Sequence, residues 1–290
     1  MERTNTLPLR ALAITLALAS SALANVEVKQ SGGTLKIKCD PAGGLLRVEG
    51  NGFPGELVVA PNTPTAKTFV GVRNVVVRGS EGDDAVQLSA FQIGGSLRVK
   101  LDAGDDAFAI TTVGLGTTLP VVIGGNVDIR MGGQLVDFVG IFADPTFGVS
   151  VLGNLTIRGT NSIAVAGTGG APTTEAADCV IGGNLRIERG PSKDGFNPTS
   201  SLGLVDVNVG GTTTIKLGAA NDHVRIVDCA FAGPFAAKLG NGDDVCDFFQ
   251  QPSTFDAATQ IDAGNGTDTI AAAFALTFAV EPTFAFDLKA

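Results

Sequence analysis

Tryptophan and tyrosine are absent from these 290 residues, and histidine occurs once, at His223. Carbohydrate-binding platforms and protein-interface hot spots draw heavily on Tyr and Trp, so the usual anchors of both are missing. The only aromatic residue is Phe, 17 of them, many at positions that alternate with polar residues and so face a core. His223 follows Asp222 and has no Ser or Cys at a spacing that suggests a nucleophilic relay. It reads as a surface residue. The four Cys include no CxxC pair, which removes the spacing expected of a zinc site. No cluster of Lys and Arg stands out along the chain, and that disfavours nucleic acid as a partner. Beyond the first 24 residues no segment supplies the ~20 apolar residues of a membrane span.

Those first 24 residues have their own pattern. Arg3 and Arg10 precede an apolar run over 11–19, and Ala22-Leu23-Ala24 fits a small-residue cleavage site. Residues 1–24 therefore read as a signal peptide cleaved before Asn25, and the mature chain as secreted. Losing Glu2, Arg3 and Arg10 leaves 20 − 2 = 18 basic and 29 − 1 = 28 acidic residues, a net charge of 18 − 28 = −10. An acidic exported chain points to solubility or cation binding.

What the chain has in abundance is repetition. Gly82-Asp83-Asp84-Ala-Val86-Gln-Leu88 returns as Gly104-Asp105-Asp106-Ala-Phe108-Ala-Ile110. Later forms are Asn221-Asp222-His-Val224-Arg-Ile226, Gly242-Asp243-Asp244-Val-Cys246-Asp-Phe248 and Gly266-Thr-Asp268-Thr-Ile270. The second acid recurs after 22 residues (Asp84 to Asp106, Asp222 to Asp244), then after 24 at Asp268. An interlocking phrase, Gly-Gly-x-Leu-x-Val, begins at Gly94, Gly124, Gly182 and Gly210, with a shorter form at Gly153. A third alternation precedes each: Phe91-Gln-Ile93, Val121-Val-Ile123, Val149-Ser-Val, Cys179-Val-Ile181 and Val207-Asn-Val209.

Alternation with period two marks a strand with one buried face, and a fixed period of this length marks stacked repeats. The expected fold is all-β, a three-sided parallel β-helix with coils of about 22–30 residues. An antiparallel sandwich would not repeat the same three-part phrase. The strand of Leu97 should stack on Val127, Leu155, Leu185 and Thr213, steps of 30, 28, 30 and 28 residues. The excess lies in insertions at 113–120, 143–147, 167–176 and 190–200. Residues 25–70 should form an N-terminal cap with irregular first coils, 71–272 the β-helix, and the Phe-rich 273–290 a C-terminal cap. Stacking would put Cys179 and Cys229 in one column two coils apart, ~9.6 Å. That exceeds the ~7 Å limit for a disulfide, so buried free thiols are expected.

The acid turns resemble the haemolysin-type, or RTX, calcium repeat, Gly-Gly-x-Gly-x-Asp-x-apolar. Leu239-Gly240-Asn-Gly242-Asp-Asp244-Val-Cys246 and Ala263-Gly264-Asn-Gly266-Thr-Asp268-Thr-Ile270 match it closely, and the turns of Asp106 and Asp222 match in part. The resemblance implies Ca2+ held by Gly240, Gly242, Asp244, Gly264, Gly266 and Asp268, with Asp84, Asp106 and Asp222 as further ligands. RTX units run back to back every nine residues, whereas this chain carries one per coil. The remaining reading is that each Asp caps its own turn.

Two functions follow. The first is a non-catalytic exported solenoid, a surface, matrix or adhesion module with extracellular polysaccharide or cell-surface matrix as partner. The second is an enzyme acting on acidic polysaccharide, with Asp128, Arg130, Asp137, Arg158, Arg186 and Glu188 as candidate groups.

Overall fold

The computed structural model describes residues 26–39, 43–60, 66–114, 118–132, 137–144, 146–159, 162–166, 179–189, 200–248, 253–272 and 276–285. Residues 1–24, expected to be a signal peptide, and the insertions over 167–176 and 190–199 lie outside them. Every regular element among the described residues is a β-strand. The strands form three sheets, two of eleven and one of eight.

Each repeat contributes one strand to each sheet in turn. Asp84–Ser89 lies in the first sheet, Gln92–Ile93 in the second and Leu97–Lys100 in the third. Each strand then pairs in parallel with its counterpart one repeat later. The expected register of the third sheet is observed: Leu97 opposite Val127, Val127 opposite Leu155, Leu155 opposite Leu185, Leu185 opposite Thr213. In the first sheet Val86, Phe108 and Val139 share one column, as do Val224 and Cys246 further on. All five are essentially inaccessible to solvent. Burying an aliphatic or aromatic side chain of this kind stabilises by ~1.5–3 kcal/mol, which is why the period-two pattern dictates the register.

Six of the thirteen described Phe are fully buried, and three of these, Phe231, Phe235 and Phe255, pack with ring centroids 4.9–5.2 Å apart. Phe138 and Phe142 are not core. They stand on the outer face of the first sheet, 6.3 Å apart and nearly parallel, and fold over Gly140. The four cysteines are free and buried.

The start of the chain departs from parallel stacking. Val26–Ser31 pairs antiparallel with Thr34–Cys39, and Leu57–Val59 pairs antiparallel with both Gly44–Gly50 and Lys67–Phe69. These pairings occupy the open edges of two sheets, the edges that otherwise invite association. The C-terminal segment differs from the expected cap. Thr277–Phe278 pairs in parallel with Thr254–Phe255, and Thr283–Ala285 with Thr259–Asp262, so the stack continues past Ala272. The reason is that Phe278 and Phe284 fall in the inward columns of Phe255 and Ile261.

Three corners between first and second sheets turn without glycine. Ala90, Asp206 and Asp228 take φ near 50° there, a left-handed conformation that Asp tolerates better than most residues. At the Gly-Gly corners the glycines answer to close approach instead. A Cβ on Gly125, Gly153, Gly183 or Gly211 would sit about 2.5 Å from a Ser or Asn oxygen of the preceding repeat. Those oxygens form a ladder: Asn126, Asn154 and Asn184 Oδ1 accept the backbone N–H of Asn154, Asn184 and Thr212 at 2.8–2.9 Å.

Candidate functional site

The corner between third and first sheets carries the acids. Each inner Asp begins or immediately precedes a first-sheet strand, and its neighbours along the chain are turn residues held by glycines at positive φ: Gly104, Gly240, Gly242, Gly264 and Gly266. Stacking turn on turn leaves no room for side chains. A Cβ on Gly264 would lie 1.6 Å from the Gly240 carbonyl oxygen, and one on Gly266 1.7 Å from that of Gly242.

The inner acids form a ladder between repeats. Asp106 Oδ1 accepts the N–H of Asp84 at 2.9 Å, and Asp137 Oδ1 that of Asp106 at 3.1 Å. Likewise Asp244 Oδ1 accepts the N–H of Asp222 at 2.8 Å, and Asp268 Oδ1 that of Asp244 at 2.9 Å. The first residue of the Asp-Asp pair does the converse. Asp83 accepts the N–H of Asp105, Asn221 that of Asp243, and Asp243 that of Thr267, all at 2.8–2.9 Å. Inner carboxylates thus reach back to the preceding repeat and outer ones reach forward to the next. The doubled acid ties each pair of turns in both directions. Asp84, nearest the start, also accepts from the N–H and hydroxyl of Ser80 in its own turn, at 2.6 and 3.0 Å. Self-capping therefore applies to Asp84, while Asp106, Asp137, Asp244 and Asp268 cap a neighbouring turn.

Burial dominates the electrostatics. It pushes the Asp106 carboxyl up to about 7, with the charges of Asp137 and Asp84 adding and the Asp84 N–H opposing. Burial raises Asp244 to about 6, reinforced by Asp222 and Asp268. Asp84 is raised too, although the Ser80 hydrogen bonds counter the effect. Asp222 finds a different solution. The buried guanidinium of Arg189, carried in from the end of the third-sheet strand Leu185–Glu188, pairs with its carboxylate.

These assignments test the calcium reading. The nine residues it names do stand on stacked turns, where several of their oxygens accept backbone amides. The Gly218 and Gly240 carbonyls accept the N–H of Asn241 and Asn265, at 3.2 and 3.0 Å. The Oδ1 atoms of Asp106, Asp244 and Asp268 are in the ladder, and Asp222 has a guanidinium as counter-ion. Among the carboxylates, the buried Oδ1 of Asp84 and the buried Oδ2 of Asp106, Asp244 and Asp268 accept no hydrogen bond, against the six to eight oxygens that Ca2+ takes. Among the described residues no group of three or more His, Cys, Asp or Glu is arranged to hold a metal. Much of the oxygen that a calcium cage would draw on is thus engaged in holding the turns together.

Asp137 and Arg189 are members of this corner that the sequence pattern did not assign. Asp137 was grouped with outward candidates, yet it is buried and belongs to the acid ladder. Its signal is the alternation Asp137-Phe-Val139-Gly-Ile141, 31 residues beyond Asp106 rather than 22. Arg189 has no periodic counterpart.

The other candidate groups lie on the outer face of the third sheet. Asp128 receives Arg130 at 3.1 Å, Arg158 at 3.4 Å and Arg98 at 3.9 Å. Glu188 receives Arg158 at 2.9 Å and also Arg186, whose contact holds the Glu188 carboxyl below its ordinary range. His223 pairs with Asp247 of the next repeat at 2.7 Å on the outer face of the first sheet.

Comparison with protein-family models, curated proteins and solved structures returns no match. No helix of the described residues is long and apolar enough to cross a membrane.

Proposed function

We propose that the chain is an exported three-sided parallel β-solenoid with a non-catalytic role, a surface or matrix module whose acid corner is a structural spine. The observation that carries this reading is the two-way ladder: the repeated acids, which would be the natural catalytic or metal-binding groups, hold backbone amides of adjacent turns. The remaining acid candidates support it as well. A general acid for glycoside cleavage needs a raised pKa, and Glu188 is held low by two guanidinium groups. Export rests on the 1–24 segment.

The calcium question has a direct test. Thermal unfolding of the mature protein should give the same midpoint in calcium and in chelator. A midpoint raised by micromolar calcium, as mass action requires of a bound ion, would overturn the spine reading. For the enzyme alternative, incubation with acidic polysaccharides should release neither unsaturated products nor new reducing ends. Turnover that disappears in Arg158→Ala would establish that alternative instead.

A further inference from the structure

Parallel stacking does to the cations what it does to the acids. Register places Lys38, Arg78, Lys100, Arg130 and Arg158 in one outward column of the third sheet, on five consecutive strands. After Glu188 the column continues with Lys216, Lys238 and Asp262. The adjacent outward column adds Lys36, Arg98 and Arg186, with Asp128. Together the two columns hold ten cations and three acids, 10 − 3 = +7, on a chain whose net charge is −9. More than half of the mature chain's 18 basic residues thus share one face. At the ~4.8 Å strand spacing, nine strands carry the track over roughly 38 Å.

Like charges directly opposite one another on neighbouring strands are destabilising, and Arg78, Lys216 and Lys238 have no ion-pair partner among the described residues. Five of the ten cations are paired, Lys100 with Asp102 and Arg98, Arg130, Arg158 and Arg186 with Asp128 or Glu188; the positive charge left over is what an external polyanion would meet. We propose that the outer face of the third sheet is a binding track for a linear acidic polysaccharide of the polyuronate class. This rests on the solenoid reading given above and names its partner. Cations recurring at the ~4.8 Å strand spacing present a continuous row to a polymer whose carboxylates recur along its length. The interspersed Asp128, Glu188, Thr156 and Thr214 can accept hydrogen bonds from sugar hydroxyls, donors that a phosphodiester backbone lacks. Nucleic acid in single strands binds through aromatic platforms, and the two outward columns contain no aromatic residue. The pairing of Arg158 between Asp128 and Glu188 keeps that side chain extended along the face rather than free in solution.

The test is titration of the mature protein with polygalacturonate in chelator, so that no calcium bridge contributes, alongside dextran and DNA in single and double strands. Polygalacturonate should bind and dextran should not. Replacing Arg78, Lys216 and Lys238 together with Gln should weaken binding at least tenfold. The slope of log K against log salt should fall by about one for each cation removed. Lys67→Gln, on the first sheet, should change neither, and an unaltered melting midpoint in the triple variant certifies its fold. Absence of binding, or binding that the triple variant retains, would overturn the track. DNA binding tighter than polygalacturonate at equal salt would overturn the polysaccharide assignment. Cleavage of the bound polymer would leave the track standing and overturn the non-catalytic reading instead.

Discussion

Replacing Asp106 with Asn should stabilise this protein at neutral pH and remove most of a pH dependence that runs opposite to ordinary acid denaturation. The Asp106 carboxyl is raised by burial from 3.8 to about 7, and Asp244 from 3.8 to about 6. An acid whose pKa is higher in the folded state binds more protons there, so folding is favoured at low pH and stability falls as the pH rises toward the folded pKa. At about 1.4 kcal/mol per pH unit, the interval from pH 5 to 8 costs ~3 kcal/mol through Asp106 and ~1 kcal/mol through Asp244. Carboxylates held low by cations, such as Glu188 beside Arg186, lose their contribution only below this window. Asn at 106 keeps an oxygen to accept the Asp84 N–H and has no charge to bury. The chain already uses this geometry at Asn126, Asn154 and Asn184. Urea unfolding at pH 5, 6, 7 and 8 measures the effect. The wild type should lose ~4 kcal/mol across the series and Asp106→Asn only ~1. A wild-type profile that is flat or rises with pH would refute the reasoning, as would a variant with the wild-type slope.

Two further substitutions probe the same corner. Gly264→Ala places a methyl group 1.6 Å from the Gly240 carbonyl oxygen at a φ of +86°; the forced conformation alone should cost ~1–3 kcal/mol, read as a lowered thermal midpoint. Arg189→Leu should destabilise at pH 8 by ~3–5 kcal/mol, since it strands the buried Asp222 carboxylate. Adding Asp222→Asn should recover most of that loss, and failure to do so would show that the guanidinium acts through packing rather than charge.

Sheet identity and register were readable because they depend on inward residues that recur in every repeat. One misplaced residue would turn a whole strand inside out, so Leu97, Val127, Leu155 and Leu185 leave little freedom. Corner chemistry was less legible. Glycine at a turn suggests positive φ, yet Gly125, Gly153 and Gly183 are needed because an Asn or Ser oxygen of the previous repeat lies against them. True left-handed residues at another corner are Ala90, Asp206 and Asp228. The residues that carry the calcium resemblance also serve a stack of turns, for a glycine that clears a neighbouring carbonyl and one that exposes its own look alike in sequence.

The cationic track was invisible for a related reason. Arg78, Lys100, Arg130 and Arg158 are separated by 22, 30 and 28 residues, so no window along the chain contains a basic cluster. Only the register brings them within one strand spacing of each other. The register keeps the column intact although the steps between its members differ. In a chain built this way the unit of recognition is the column. A functional reading made along the sequence samples each column once per repeat, and the acids became noticeable first because glycine marks them.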